Sequence, residues 1–142
     1  ANQPRNQGER GGVVKKLRPI LHIEDEPDIR EIVRLALEEI GGFQVESCCS
    51  GEEGLEKARE CQPDLVLLDV MMPGMDGPMT LRELRKLPEL SETPVVFMTA
   101  KVQTHEIEEY AGMGAIGVLT KPFDPSTISK EIRALWRKRD AG

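Results

Sequence analysis

A chain of 142 residues, 39% hydrophobic and 31% charged, is the size of one domain and can bury a core. No apolar run approaches the ~20 residues that cross a bilayer, and the leader ANQPRNQGERGG lacks a secretory apolar stretch, so the expected compartment is the cytoplasm. Residues 1–18 carry a net +4, leaving −10 of the total −6 on residues 19–142; so acidic a body repels phosphate backbones and argues against direct nucleic-acid binding.

The leader, residues 1–18, reads as a flexible basic tail. From Pro19 onward, short apolar runs alternate with helical patterns. The first run, ILHI at 20–23, ends at Glu24 and Asp25. Pro27 suits a first helical position, and Ile29, Ile32, Val33, Ala36, Leu37 and Ile40 predict one buried helix face, stopped by Gly41 and Gly42. FQVESCC, 43–49, predicts a second strand, and Ser50 with Glu53 predicts a capping box for a helix to about Glu60.

LVLL, 65–68, lacks alternation, as a strand covered on both faces should. Pro78 starts a third helix bearing Leu81 and Leu84, bounded by Pro88. VVFM, 95–98, is a fourth apolar run, and Thr104 is the expected cap of a helix carrying Ile107, Tyr110 and Ala111. IGVL, 116–119, gives a fifth strand. The last helix is expected from Pro125 or Ser126, burying Ile128, Ile132, Leu135 and Trp136.

Five strand and helix pairs in strict alternation imply a doubly wound parallel α/β sheet with helices on both faces. Sites in such sheets form beyond the carboxyl ends of the strands. There the sequence places Glu24 and Asp25, Asp69, Thr99 and, one residue past the fifth strand, Lys121. Carboxylates crowded at ~5 Å repel by about 3 kcal/mol per pair at an effective dielectric of ~20. Lys121 offsets one charge and a divalent cation would offset two more. Hard carboxylate oxygens without a His or Cys cluster favour Mg2+ or a similar ion such as Mn2+, which bridges readily to a phosphoryl group.

Four stretches in order, HIEDEPDIR at 22–30, LVLLDVMMPGMDG at 65–77, PVVFMTA at 94–100 and LTKPF at 119–123, resemble the receiver domain of two-component response regulators, the CheY-like superfamily. The resemblance covers residues 19–138, leaving 139–142 as a C-terminal tail. It implies a flavodoxin-like (βα)5 fold with strand order 2-1-3-4-5. It implies that Asp69 accepts a phosphoryl group from a phosphohistidine on a sensor histidine kinase or a histidine phosphotransfer protein. Glu24, Asp25, Asp69 and the carbonyl of Met71 would hold the metal. The Thr99 hydroxyl, the Ala100 amide and Lys121 would meet the phosphoryl oxygens, and Lys121-Pro122 would be cis. The implied readers are an effector protein or a linked output domain, with a homodimer through the face of the fourth and fifth helices as a further partner. The protein would be a signalling phosphoacceptor and not an enzyme in the ordinary sense.

The chain departs from the family pattern at Val118, where relatives often carry Tyr or Phe that turns inward on activation. Met71 and Lys101 stand where relatives influence water access to the acyl phosphate; neither is an acid or amide, so a persistent phosphoryl group is expected. A haloacid dehalogenase-type phosphatase would need Asp at position 71, and a flavin module would need a hydroxyl- and glycine-rich loop where this chain has EDEPD. A receiver-like scaffold that no longer accepts phosphate is opposed by the complete set of Asp69, Thr99, Lys121 and the acidic pair.

Other residues read as structural. Cys48, Cys49 and Cys61 are too few and too irregularly spaced for a disulfide framework or zinc site, and are expected as reduced thiols. His22 is expected to be a buried neutral core residue and His105 to be solvated. Met71, Met72, Met75 and Met79 are expected as adaptable packing around the turn after Asp69. Lys130, Glu131, Arg133, Arg137 and Lys138 are expected on a solvated face.

Overall fold

Apolar runs without alternation become the buried strands β1 (Ile20–Ile23), β3 (Leu65–Asp69) and β4 (Val95–Thr99), every residue of which is buried. The computed structural model describes residues 19–100 and 103–141, so the basic leader and Lys101 lie outside the described residues. Around the central strands are α1 (Pro27–Leu35), β2 (Val45–Cys48), α2 (Gly51–Cys61), α3 (Gly77–Arg85), α4 (Thr104–Gly112), β5 (Ala115–Thr120) and α5 (Ile128–Ala141). The five strands form one parallel sheet in the order β2-β1-β3-β4-β5, the flavodoxin-like arrangement expected.

Side chains alternate along each strand between two helical layers. Leu21, Ile23, Val66, Leu68 and Phe97 pack with Leu81, Leu84 and Tyr110 on one face. Ile20, Leu65, Leu67, Val96 and Met98 pack with Val33, Leu37, Ile128 and Ile132 on the other. Each such side chain contributes about 1.5–3 kcal/mol by leaving water. Among the described residues, no helix is long and apolar enough to cross a membrane.

Several expectations are corrected. In α1 the buried face is Val33, followed by Ala36 and Leu37, whereas Ile32 and Ile40 are 46% and 60% exposed. The chain after α1 widens into a π-helical turn over Ala36–Ile40, where the Ala36 carbonyl accepts both from Gly41 N and from Ser129 Oγ of α5. A side chain inserted into the helical ladder is a recognised cause of such widening. Strand β2 is shorter than FQVESCC, its register with β1 running from Val45 to Cys48, with the Gln44 carbonyl accepting from Ile20 N at its start. The Ser50 hydroxyl caps α2 as expected, but the Glu53 carboxylate returns to Cys49 N.

Helix α4 is capped by Gln103 and not by Thr104, with Glu106 completing the box. Of its expected apolar face only Tyr110 is buried; Ile107 and Ala111 are exposed. Helix α5 begins at Ile128, because Asp124 organises the preceding turn by accepting from Ser126 N and Oγ. Arg133 is not a freely solvated charge: it donates to the Gly41 carbonyl and lies 4.6 Å over the Phe43 ring. Met72 is buried and Met79 is 45% exposed, but Met71, at 74% exposed, stands largely in solvent. All three cysteines are free thiols, Cys48 buried and Cys49 exposed.

At the end of the sheet opposite the acidic residues, Arg85 joins three segments. Its Nη1 donates to the carbonyls of Leu90 at 3.0 Å and Thr93 at 2.7 Å. Its Nη2 and Nε donate to the carbonyls of Gly114 at 3.3 Å and Met113 at 3.5 Å. Gly114 has φ +97°, and a Cβ there would come 2.7 Å from Arg85 Nη2, so the turn after α4 requires glycine twice over. Nearby, the Tyr110 ring tilts against Phe97 with centroids 4.6 Å apart.

Candidate functional site

Parallel strands release their side chains at a common edge, and this edge collects the charged residues. Strand β1 runs into Glu24 and Asp25, β3 ends on Asp69, β4 ends on Thr99, and Lys121 follows β5. One carboxylate oxygen from each of Glu24, Asp25 and Asp69 lies within 4.8 Å of the others. Lys121 Nζ donates to Glu24 Oε1 at 3.0 Å and to Asp69 Oδ1 at 3.1 Å. Glu24 is fully buried and Asp69 2% exposed, so these charges meet in a poorly solvated pocket.

That environment shifts the titrations. Burial pushes the Glu24 carboxyl up to about 7; the Lys121 hydrogen bond opposes the shift and the Asp69 charge adds to it. Burial works against the Lys121 ammonium, but its hydrogen bonds to Glu24 and Asp69 prevail and raise its pKa above the usual value. The lysine therefore stays charged while the buried glutamate is the group that yields.

Further hydrogen bonds hold Glu24, Asp69 and Lys121. Glu26 N donates to Glu24 Oε2 at 3.3 Å, and Arg30 Nη1 donates to the Glu24 carbonyl at 2.8 Å. Met71 N donates to Asp69 Oδ1 at 3.4 Å. Lys121 N donates to the Thr99 carbonyl at 2.8 Å, which ties the ends of β4 and β5 together. The Lys121-Pro122 peptide is cis.

The run VMMPGMDG brings the chain back against the acidic edge. Gly77 N donates to the Val70 carbonyl at 3.0 Å, and a Cβ on Gly77 would stand 2.5 Å from the Asp69 carbonyl oxygen. Only glycine permits that approach. Asp76 then caps α3 by accepting from Met79 N at 2.9 Å.

Glu24, Asp25, Asp69 and Lys121 are thus brought into one group, and Thr99 joins it through the Lys121 backbone. Ala100 follows Thr99 at the exposed lip, and Met71 contributes its amide to Asp69 while its side chain points into solvent. Val118 stands opposite Phe97 in the β4–β5 register and is partly buried. Sequence reasoning missed Arg30 and Asp76. Asp76 had a signal, an acid just before Gly77-Pro78 at a helix start; Arg30 had only its place in the first turns of α1. Three carboxylates without His or Cys form a donor set that fits a hard divalent cation.

Comparison with known proteins gives the same picture. The family model described as response regulator receiver domain matches residues 20–133. Transcriptional regulatory protein CseB of Streptomyces coelicolor is 39% identical over 119 residues, 84% of this chain and 49% of that protein. The DNA-binding dual master transcriptional regulator RpaA of Synechocystis is 36% identical over 121 residues, 85% of this chain and 50% of that protein. The chain therefore spans about half the length of these curated relatives. Among solved structures, chemotaxis protein CheY4 of Vibrio cholerae superposes with a TM-score of 0.79 at 30% identity, covering 84% of this chain and 98% of that one. From the family match and these identities, the chain belongs to the receiver domains of two-component response regulators, signalling phosphoacceptors and not classical enzymes.

Proposed function

We propose that Asp69 is the phosphoacceptor of this receiver and that Glu24, Asp25, Asp69 and the Met71 carbonyl hold Mg2+ or Mn2+ beside it. The observation that carries this reading is the position of Asp69, on the central strand, within 4.8 Å of two further carboxylates and 3.1 Å from Lys121 Nζ. An Asp69 carboxylate oxygen forms the O–P bond as the P–N bond of a partner phosphohistidine breaks, and the leaving imidazole nitrogen keeps the electron pair. The cation, when bound, neutralises charge on the phosphoryl oxygens. Lys121 stands within reach of another oxygen, the Thr99 hydroxyl donates to a third, and the Ala100 amide assists. Such transfer depends mostly on positioning and electrostatic stabilisation.

The phosphodonor is a sensor histidine kinase or a histidine phosphotransfer protein. The reader is an effector protein or a linked output domain, as the transcriptional regulators among its relatives suggest, with a homodimer through α4 and α5 as a further mode. The receiver itself makes no direct contact with nucleic acid, in keeping with its acidic surface.

Incubation with acetyl phosphate and Mg2+ tests the assignment. The expected result is a mass gain of one phosphoryl group that disappears in Asp69→Asn and after chelation, and returns with Mg2+ or Mn2+. An undiminished gain in Asp69→Asn would place the acceptor elsewhere.

A further inference from the structure

His22 and Ser47 face each other across the β1–β2 pairing. Each follows by two residues a side chain of the layer covered by α1 and α5, Ile20 in β1 and Val45 in β2, so both point to that side of the sheet. His22 is fully buried, and neither Nδ1 nor Nε2 has a hydrogen-bond partner among the described residues. Ser47 Oγ is likewise shut off from solvent and unpartnered. Buried polar groups are normally paired, and among the described residues these three are the buried side-chain N and O atoms without a partner.

A neutral ring offers one donor and one acceptor, and a serine hydroxyl offers both functions. The small molecule that can meet both is water, which requires two to four polar partners to stay in a core. A metal ion would need more ligands than one nitrogen and one hydroxyl.

We propose that one ring nitrogen of His22 and the Ser47 hydroxyl together hold a buried water molecule between the edge strand β2 and the site-bearing strand β1, two residues below Glu24. The water stitches the outermost strand to its neighbour through side chains, in addition to the backbone ladder.

Two measurements on the intact chain test this. In solution, cross-relaxation from a long-lived water to the His22 ring protons is expected in the wild type and lost in Ser47→Val, whose methyl groups take the water's place. Denaturant midpoints form the second arm: His22→Phe and Ser47→Val each lower the midpoint by orphaning the other group. The double variant H22F/S47V, apolar throughout, recovers toward the wild type. A wild type without the water signal, or a signal unchanged in Ser47→Val, would overturn the proposal. So would midpoint losses that simply add in the double variant.

Discussion

Lys121 donates to Asp69 Oδ1 at 3.1 Å although 52 residues separate them in the chain. The same ammonium reaches Glu24, 97 residues away, so the pocket closes only when β1, β3 and β5 all share one sheet. Replacing Lys121 by Met leaves two buried carboxylates facing each other without a cation. At pH 8 the expected loss of stability is up to about 3 kcal/mol, the repulsion of such a pair at an effective dielectric of ~20, less whatever Glu24 escapes by taking up a proton once the lysine that lowers its carboxyl is gone. The loss should shrink at pH 5, where Glu24, raised to about 7 even with Lys121 beside it, is protonated with or without the lysine. Urea midpoints at the two pH values check this, and equal losses would count against it.

The pH dependence of the metal-free protein follows from two opposed groups. Glu24 is raised from 4.5 to about 7, so its contribution is fully present below 4.5 and lost as pH rises through 7. His22 is lowered from 6.5 to about 3, so its contribution is present above 6.5 and lost as pH falls toward 3. Each acts with a slope of up to about 1.4 kcal/mol per pH unit. Between pH 4.5 and 6.5 the two cancel, and wild-type stability should be nearly flat. Glu24→Gln should unmask a rise in stability with pH, and His22→Phe a fall, in urea titrations across that window.

Arg85 supports the opposite end of the sheet through four backbone carbonyls. Arg85→Met should destabilise the fold by about 2–3 kcal/mol, since charge-assisted bonds are lost and partly buried acceptors are stranded. Gly114→Ala should cost about 1–2 kcal/mol through its positive φ and its clash with the guanidinium. The two losses share one contact, so the double variant should lose less than their sum, as a double-mutant cycle of denaturation will register.

The phosphorylated form should be long-lived. The Met71 thioether, 74% exposed beside Asp69, has neither an acid nor an amide with which to orient an attacking water. Decay of the phosphoryl group on purified protein with Mg2+ is expected to take longer than minutes, and minute-scale loss would contradict it.

Much of this architecture was legible in the sequence because its central strands are unambiguous: LVLLD and VVFMT have no polar face to misplace, and their terminal Asp69 and Thr99 fall at the edge the topology dictates. The acidic pair and Lys121 were found by the same logic. Legibility failed where a tertiary contact overrides local pattern. Ile40 fits a helical apolar spacing, yet the widened turn over Ala36–Ile40, bonded by Ser129 93 residues from Ala36, is invisible to periodicity. Tyr110 alone anchors α4 to the core because Phe97, on another element, selects it. The role of Arg30 depends on a carbonyl six residues away whose orientation no motif specifies.

The attachment of α4 has a mechanical consequence. Its C-terminal turn is clamped by Arg85 and its one buried side chain, Tyr110, lies in the last turn, whereas its first turn, beyond Thr99 and Ala100, buries none. A rod fixed near one end can tilt but cannot slide. Anchored this way, α4 is held at the end of the sheet away from the acidic edge, and its first turn, Thr104–Ile107, is the part of the helix with the least to hold it in place.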